Sequence, residues 1–229
     1  MKRFYKKASH NPGESGHRIL LDGRAVKTPA RATLAVPSEG LATAIVEEWD
    51  AQAEDIDPRS MPLTGLAKAA IDRVSPDPDA FARSLAVYGE TDLLCYRADS
   101  PAALVARQSE TWDPLLAWAR RRFDVDFEVV EGIMHRPQPE LTVRQLSQAI
   151  GARVPFELAA LSPLVTISGS LVTALALAED AIDLETAWAA ATLDEAWQIE
   201  QWGNDAEAVQ RLAARRGDFE AAYRFLKLL

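Results

Sequence analysis

Near residue 37 the periodicity of this 229-residue chain changes, and that change limits its fold more than any single motif does. Before it, short runs at residues 4–7, 17–21, 25–28 and 33–36 are separated by turn signals at Asn11-Pro12-Gly13, Asp22-Gly23 and Pro29. Asp-Gly between two apolar runs is a strong hairpin signal, because both residues tolerate the positive φ that a tight two-residue turn requires. Residues 1–37 are therefore expected to form an antiparallel β meander.

After residue 37 the apolar spacing becomes helical. Ser38 is a candidate N-cap, and Leu41, Ile45 and Trp49 follow at fourfold spacing in a helix ending by Asp57-Pro58. Pro62 suits a first turn, and the stripe Leu63, Leu66, Ala70 and Val74 stops at Ser75-Pro76. The next stripe, capped by Asp77 or Asp79, runs Phe81, Leu85, Tyr88, Asp92, Cys95, with Asp92 interrupting an apolar face. Trp112-Asp113-Pro114 is expected to open a helix through Phe123, and residues 125–130 a short strand, with 135–139 a loop. Further helices are predicted at 142–150, 155–161, 165–178, 184–202 and from Asp205 onward. The fold class is α+β, with a small N-terminal antiparallel β-rich domain carrying one or two helices over 1–75 and a larger helical domain over 76–229.

Charge and motif content exclude several kinds of function. Residues 1–40 hold eight basic and three acidic side chains, +5, which leaves −14 on the remainder of a chain whose net charge is −9. Such an acidic body repels nucleic-acid phosphates and can attract a basic protein surface. The single cysteine, Cys95, rules out an internal disulfide, and its neighbours Leu93, Leu94 and Tyr96 make it a small core residue. His10, His17 and His135 lack metal-ligand spacing, and no Gly-rich phosphate loop is present, so neither metal nor cofactor is expected. Ser, Thr, Gly and Pro interrupt the apolar stretch at 158–178, so no membrane insertion is expected. The basic start leads into polar residues instead of an apolar segment, so a bacterial cytoplasmic protein without a leader is expected.

The stretch DEAWQIEQWGNDAE, Asp194 to Glu207, is the most unusual composition in the chain: two tryptophans among acids with no basic residue. On a continuous helix, Glu195, Ile199 and Trp202 fall within about 40° of Trp188 while Trp197 lies opposite. A carboxylate on that apolar stripe, Glu195, is either paired with an arginine, protonated, or exposed at the rim of a groove. Asp92 presents the same choice. Gly203 ends the helix, Asn204 and Asp205 can cap the next one, and Glu207 falls in its first turn. Trp49, Trp112, Trp118 and Trp188 sit among leucines and isoleucines and are read as core.

Four blocks together, EEWDAQAEDIDPRSMPLTGLAKAAID, YGETDLLCYRADSP, QSETWDPLLAW and DEAWQIEQWGNDAE, with FYKKA and LDGRAVKTPA before them, resemble the Atp12 family of F-type ATP synthase assembly chaperones. The resemblance covers most of the chain. It implies a non-enzymatic chaperone that binds the free alpha subunit of the catalytic sector and shields its beta-subunit interface until the hexamer forms. It also implies an acidic residue required near the C-terminus, and here Ala206 stands between Asp205 and Glu207 where other members carry glutamate. The partner-binding residues expected are Glu195, Trp202, Asp205 and Glu207, with Trp49 and Asp92 structural, on a protein that is a monomer when free. Two alternatives remain: a small enzyme using Asp92 or Glu195 as general acid or base, and an acidic scaffold with a different protein partner.

Overall fold

The computed structural model describes residues 1–132, 134–203 and 205–229. It divides into two compact units. The first comprises Met1–Pro78 with Val154–Ala160 and Ala221–Leu229, and the second comprises Asp79–Arg153 with Leu161–Glu220. A single cut after residue 75 does not provide for the two later segments that group with the first unit.

The first unit opens on an antiparallel sheet of β1 (Ala8–Gly13), β2 (Gly16–Leu21), β3 (Arg24–Ala25) and β4 (Ala35–Val36). β1 lies on one side of β2, while β3 and β4 pair with opposite ends of its other side. Asp22 and Gly23 form the turn joining β2 to β3, both at positive φ, 47° and 80°. The first hairpin differs from expectation. β1 runs straight through Asn11-Pro12, and the chain turns at Glu14-Ser15 instead. Pro12 is tolerated because β1 is an edge strand, where a missing N–H removes no ladder bond from a central position.

Helix α1 (Glu39–Asp50) packs on this sheet and is capped by Ser38, whose hydroxyl accepts from the Leu41 N–H at 3.0 Å. The Ser38 hydroxyl also donates to the Leu228 carbonyl. α1 stops at Asp50, seven residues before Asp57-Pro58. α2 (Pro62–Ala69) begins under Glu48, whose carboxylate accepts from the Leu63 N–H (2.7 Å), the Thr64 N–H (2.8 Å) and the Thr64 hydroxyl (2.7 Å). The core of this unit gathers Ile19, Leu34, Val36, Leu41, Ile45, Trp49, Leu63 and Phe225.

The second unit is built on helices. They are α3 (Pro78–Ala86), α4 (Ala102–Phe123), α5 (Glu140–Gly151), α6 (Pro155–Ser168), α7 (Leu171–Ala178), α8 (Leu184–Ala191), α9 (Leu193–Trp202) and α10 (Ala206–Lys227). Parts of α6 and α10, and Pro78 at the start of α3, belong to the first unit. A two-strand parallel pair joins β5 (Tyr96–Arg97) to β6 (Val130–Glu131).

Four sequence expectations are corrected here. α4 starts ten residues before Trp112, with Pro114 inside it. The carbonyl that loses its donor to the proline is that of Glu110, and both residues lie on an exposed face where water can serve. Of residues 125–130, only Val130 is strand. The Gln138 side chain substitutes for a neighbouring strand at Glu128, its amide oxygen accepting from the Glu128 N–H (3.1 Å) and its nitrogen donating to the carbonyl (2.9 Å). The break near 162–164 is absent, because α6 continues through Pro163 to Ser168. α7 starts after Ser170, whose hydroxyl accepts from the Thr173 N–H. Residues 184–202 form two helices instead of one, divided at Thr192. Thr192 adopts φ −116° and its hydroxyl donates to the Trp188 carbonyl at 2.8 Å, a local bond that competes with helix continuation.

Candidate functional site

The division at Thr192 separates Trp188 from Trp202, so the single face drawn across both does not exist. Trp188 is buried on α8 against the Phe219 ring, 5.6 Å away, beneath the Arg216 guanidinium. Trp202 ends α9 and is 78% exposed. Gly203 closes that helix, its N–H donating to the Ile199 carbonyl at 2.9 Å. Asn204, also expected as a cap, lies outside the described residues.

The acids of this segment are partnered, contrary to the impression of an unpaired acidic patch. Asp194 accepts from the Gln108 amide at 2.7 Å, and Glu200 receives Arg107 at 2.7 Å. Glu195 pairs with Arg215 at 2.6 Å, and the same guanidinium donates to the Ile167 carbonyl. Of the three states open to Glu195, the structure shows two together, an arginine pair that is half-exposed at the edge of a cleft. Asp205 caps α10, accepting from the Glu207 N–H at 2.7 Å and the Ala208 N–H at 3.1 Å. Those two N–H groups hold its carboxyl below the usual range. Glu207 pairs with Arg211 one turn along at 2.6 Å.

Three of the four expected residues come together. Glu195, Trp202 and Asp205 line a cleft of about 350 Å³ whose other wall carries Arg211 and Arg215. Glu207 stands beside it through its ion pair with Arg211. Trp202 also lines a second cleft, of about 590 Å³, with Leu93, Tyr96, Leu104 and Trp197. Trp202 is thus shared by two concavities, and its exposed ring is called the ridge. Sequence reasoning missed Arg215 and the Leu93–Tyr96 wall, which are far from Trp202 in the chain. It also missed Arg211, although that residue lies only four positions after Glu207, the spacing of a helical ion pair.

Trp49 and Asp92 stand apart from this ridge. Trp49 is in the core of the first unit, where its carbonyl accepts from the Tyr5 hydroxyl at 2.5 Å. Asp92 is not on a helix face at all. It caps the turn Leu93–Cys95, accepting from the Leu94 N–H (3.1 Å) and the Val172 N–H (2.9 Å), and is wholly buried. Burial pushes its carboxyl up to about 6, against the hydrogen bonds that favour the charged form. Cys95 beside it is also buried, and burial followed by the Asp92 charge pushes its thiol up to about 12. A thiol so disfavoured as thiolate, next to a carboxylate that reaches no solvent, gives general acid–base or nucleophilic chemistry no access to a substrate. Trp112 is buried, with its indole N–H on the Ala190 carbonyl at 2.9 Å, whereas Trp118 is only half-buried, edge-on to Phe123.

Among the described residues, no group of three or more His, Cys, Asp or Glu side chains is arranged to hold a metal ion. His10 and His17 lie edge-on to each other, and His135 meets the Tyr96 hydroxyl at 3.0 Å. No helix among the described residues is long and apolar enough to cross a membrane.

Comparison with known proteins identifies the family and the fold. The family model described as ATP12 chaperone protein matches residues 2–120. The crystal structure of Atp12 from Paracoccus denitrificans superposes with a TM-score of 0.94 at 42% identity, covering 99% of this chain and 97% of that one. The mitochondrial protein atp12 of Schizosaccharomyces pombe is 25% identical over 215 residues, 89% of this chain and 74% of that protein. Mitochondrial ATP12 of Saccharomyces cerevisiae is 23% identical, over 96% of this chain and 82% of that protein. The chain belongs to the ATP12 chaperone family, a family of chaperones and not of enzymes.

Proposed function

We infer that this chaperone of ATP synthase assembly holds the free alpha subunit at the ridge made by Trp202, with Glu195, Asp205 and Glu207 around it, and shields the surface that the beta subunit later covers. The observation that carries the reading is Trp202 itself. A large apolar ring 78% exposed and shared by two clefts is costly in solution and is a residue type that dominates binding energy once a partner covers it.

The surrounding charges support specificity more than affinity. Glu195 and Glu207 are each committed to an arginine, so a partner meets a mixed rim of carboxylates and guanidiniums around an apolar centre. Release needs no fuel, because a true neighbour that binds the same alpha surface more tightly displaces the chaperone by mass action.

Co-purification of the alpha subunit with the tagged chain tests the reading. Retention of alpha by the wild-type protein and its loss with Trp202→Ala is the expected result. Failure of the wild-type protein to retain any alpha subunit overturns it, and retention of a different, basic protein through the same ridge would favour the scaffold alternative.

A further inference from the structure

A second concavity, about 540 Å³, lies in the first unit, away from every residue placed on the Trp202 ridge. Its apolar lining includes Phe4, Tyr5 and Trp49, and its polar lining includes Arg24, Lys27 and Lys68. Two features set it apart from an ordinary surface hollow.

The first is an unmet donor. Trp49 is 5% exposed, and its indole N–H has no hydrogen-bond partner among the described residues. A buried N–H left without an acceptor costs about 1–3 kcal/mol. Natural cores rarely retain one unless a water or a ligand completes it.

The second is a local excess of positive charge, three cations against the one carboxylate, Asp22, that shares the lining. Lys68 lies over the Trp49 ring, 5.6 Å from its centroid, and is half-buried. Arg24, Lys27 and Lys68 form no ion pair among the described residues. Glu48 and Asp72 act on Lys68, and Asp22 on Arg24, through charge and not as ion pairs, and their oxygens also accept hydrogen bonds from other groups. Asp22 accepts from the Lys6 and Lys7 N–H groups, Glu48 caps α2, and Asp72 accepts from the Thr28 hydroxyl (2.6 Å) and the Ala30 N–H (3.0 Å). Phe4, 66% exposed at the edge, leaves an apolar surface open beside these cations.

We propose that this cleft is a second docking site, for a peptide segment carrying an apolar side chain beside a carboxylate. The apolar side chain covers Phe4 and enters against Tyr5 and Trp49, and the carboxylate meets the three cations. Charge complementarity selects this occupant over a basic or neutral segment, and the +5 carried by residues 1–40 extends the same field around the mouth. That the segment belongs to a client polypeptide rests on the chaperone reading; the chemistry of the cleft does not.

The test is a titration of the isotope-labelled full chain with the blocked peptide acetyl-Ile-Leu-Asp-Glu-amide, following the Trp49 indole N–H resonance. That resonance is expected to move saturably, and the neutral acetyl-Ile-Leu-Asn-Gln-amide to bind about tenfold more weakly. The double variant Arg24→Gln, Lys27→Gln, both at exposed positions, is expected to lose a similar factor for the acidic peptide while melting as the wild type does. An unmoved Trp49 resonance overturns the proposal, and so does equal binding of the acidic and neutral peptides. Because the titration contains no alpha subunit, its outcome is separable from that of the co-purification: seating of the peptide with no capture of alpha sinks the chaperone contact and leaves the cleft standing.

Discussion

The Asp92 carboxylate accepts a hydrogen bond from the Val172 N–H at 2.9 Å across eighty residues of sequence, with both groups buried. It thereby closes the N-terminal end of α7 on the turn Leu93–Cys95, since the same carboxylate receives the Leu94 N–H. Asp92→Ala leaves both N–H groups without an acceptor and is expected to cost about 3 kcal/mol in chemical denaturation at neutral pH.

The same residue sets a pH dependence. Its folded carboxyl titrates near 6, well above an unfolded aspartate. The folded state therefore binds the proton more tightly, and the contribution is full below the unfolded value and lost as pH rises through about 6. The stability difference between wild type and Asp92→Ala is expected to shrink between about pH 4 and pH 6. A difference that is flat over that range, measured by denaturant titration, contradicts the assignment.

Gly16 follows the first hairpin turn at φ 105°, and a Cβ built there stands 2.3 Å from the Val36 carbonyl oxygen. β4 pairs with β2 at this end, so the backbone of Val36 cannot withdraw without opening the sheet. Gly16→Ala is expected to cost about 3 kcal/mol or more, read as a lowered denaturation midpoint.

Asp205 separates two roles that one carboxylate can combine. Asp205→Asn keeps an oxygen to accept from the Glu207 and Ala208 N–H groups and removes the charge, whereas Asp205→Ala removes both. Thermal melting is expected to fall for alanine and to change little for asparagine. If alpha-subunit capture falls equally with both, the charge is what the partner reads; if it falls only with alanine, Asp205 acts as a cap.

Glu195 and Arg215 are each half-exposed, so solvent screens their attraction. A double-mutant cycle with Glu195→Gln and Arg215→Gln is expected to give a coupling of about 1 kcal/mol or less, reduced further by salt. A loss of alpha capture in Glu195→Gln much larger than that coupling would show that Glu195 touches the partner directly.

Local chemistry was legible wherever it acts within a few residues. Asp22-Gly23 announced its turn and Ser38 its cap, because both signals depend on backbone groups only two or three positions away. Thr192 did not, since a single threonine inside an apolar run gives no period change, and its break became visible only as a hydroxyl bonded back to Trp188. The change of period near residue 37 carried the fold class, and the family blocks the chaperone identity. The ridge itself was half legible: Trp202, Asp205 and Glu207 stood out by composition, but the Arg215 partner of Glu195 and the second cleft depend on how α9, α10 and residues 93–104 fold together. Asp92 was misplaced for the same reason, because its acceptor role is defined by a helix eighty positions away.

The most direct test of the central claim is a competition experiment on the purified alpha subunit. The chain is bound to alpha and excess beta subunit is added, with Trp202→Ala run in parallel. The account predicts that wild-type chain holds alpha and is displaced as beta is added, and that Trp202→Ala binds alpha about thirtyfold more weakly while melting normally. A ternary complex in which alpha retains both the chain and the beta subunit, or full-strength binding by Trp202→Ala, would contradict it.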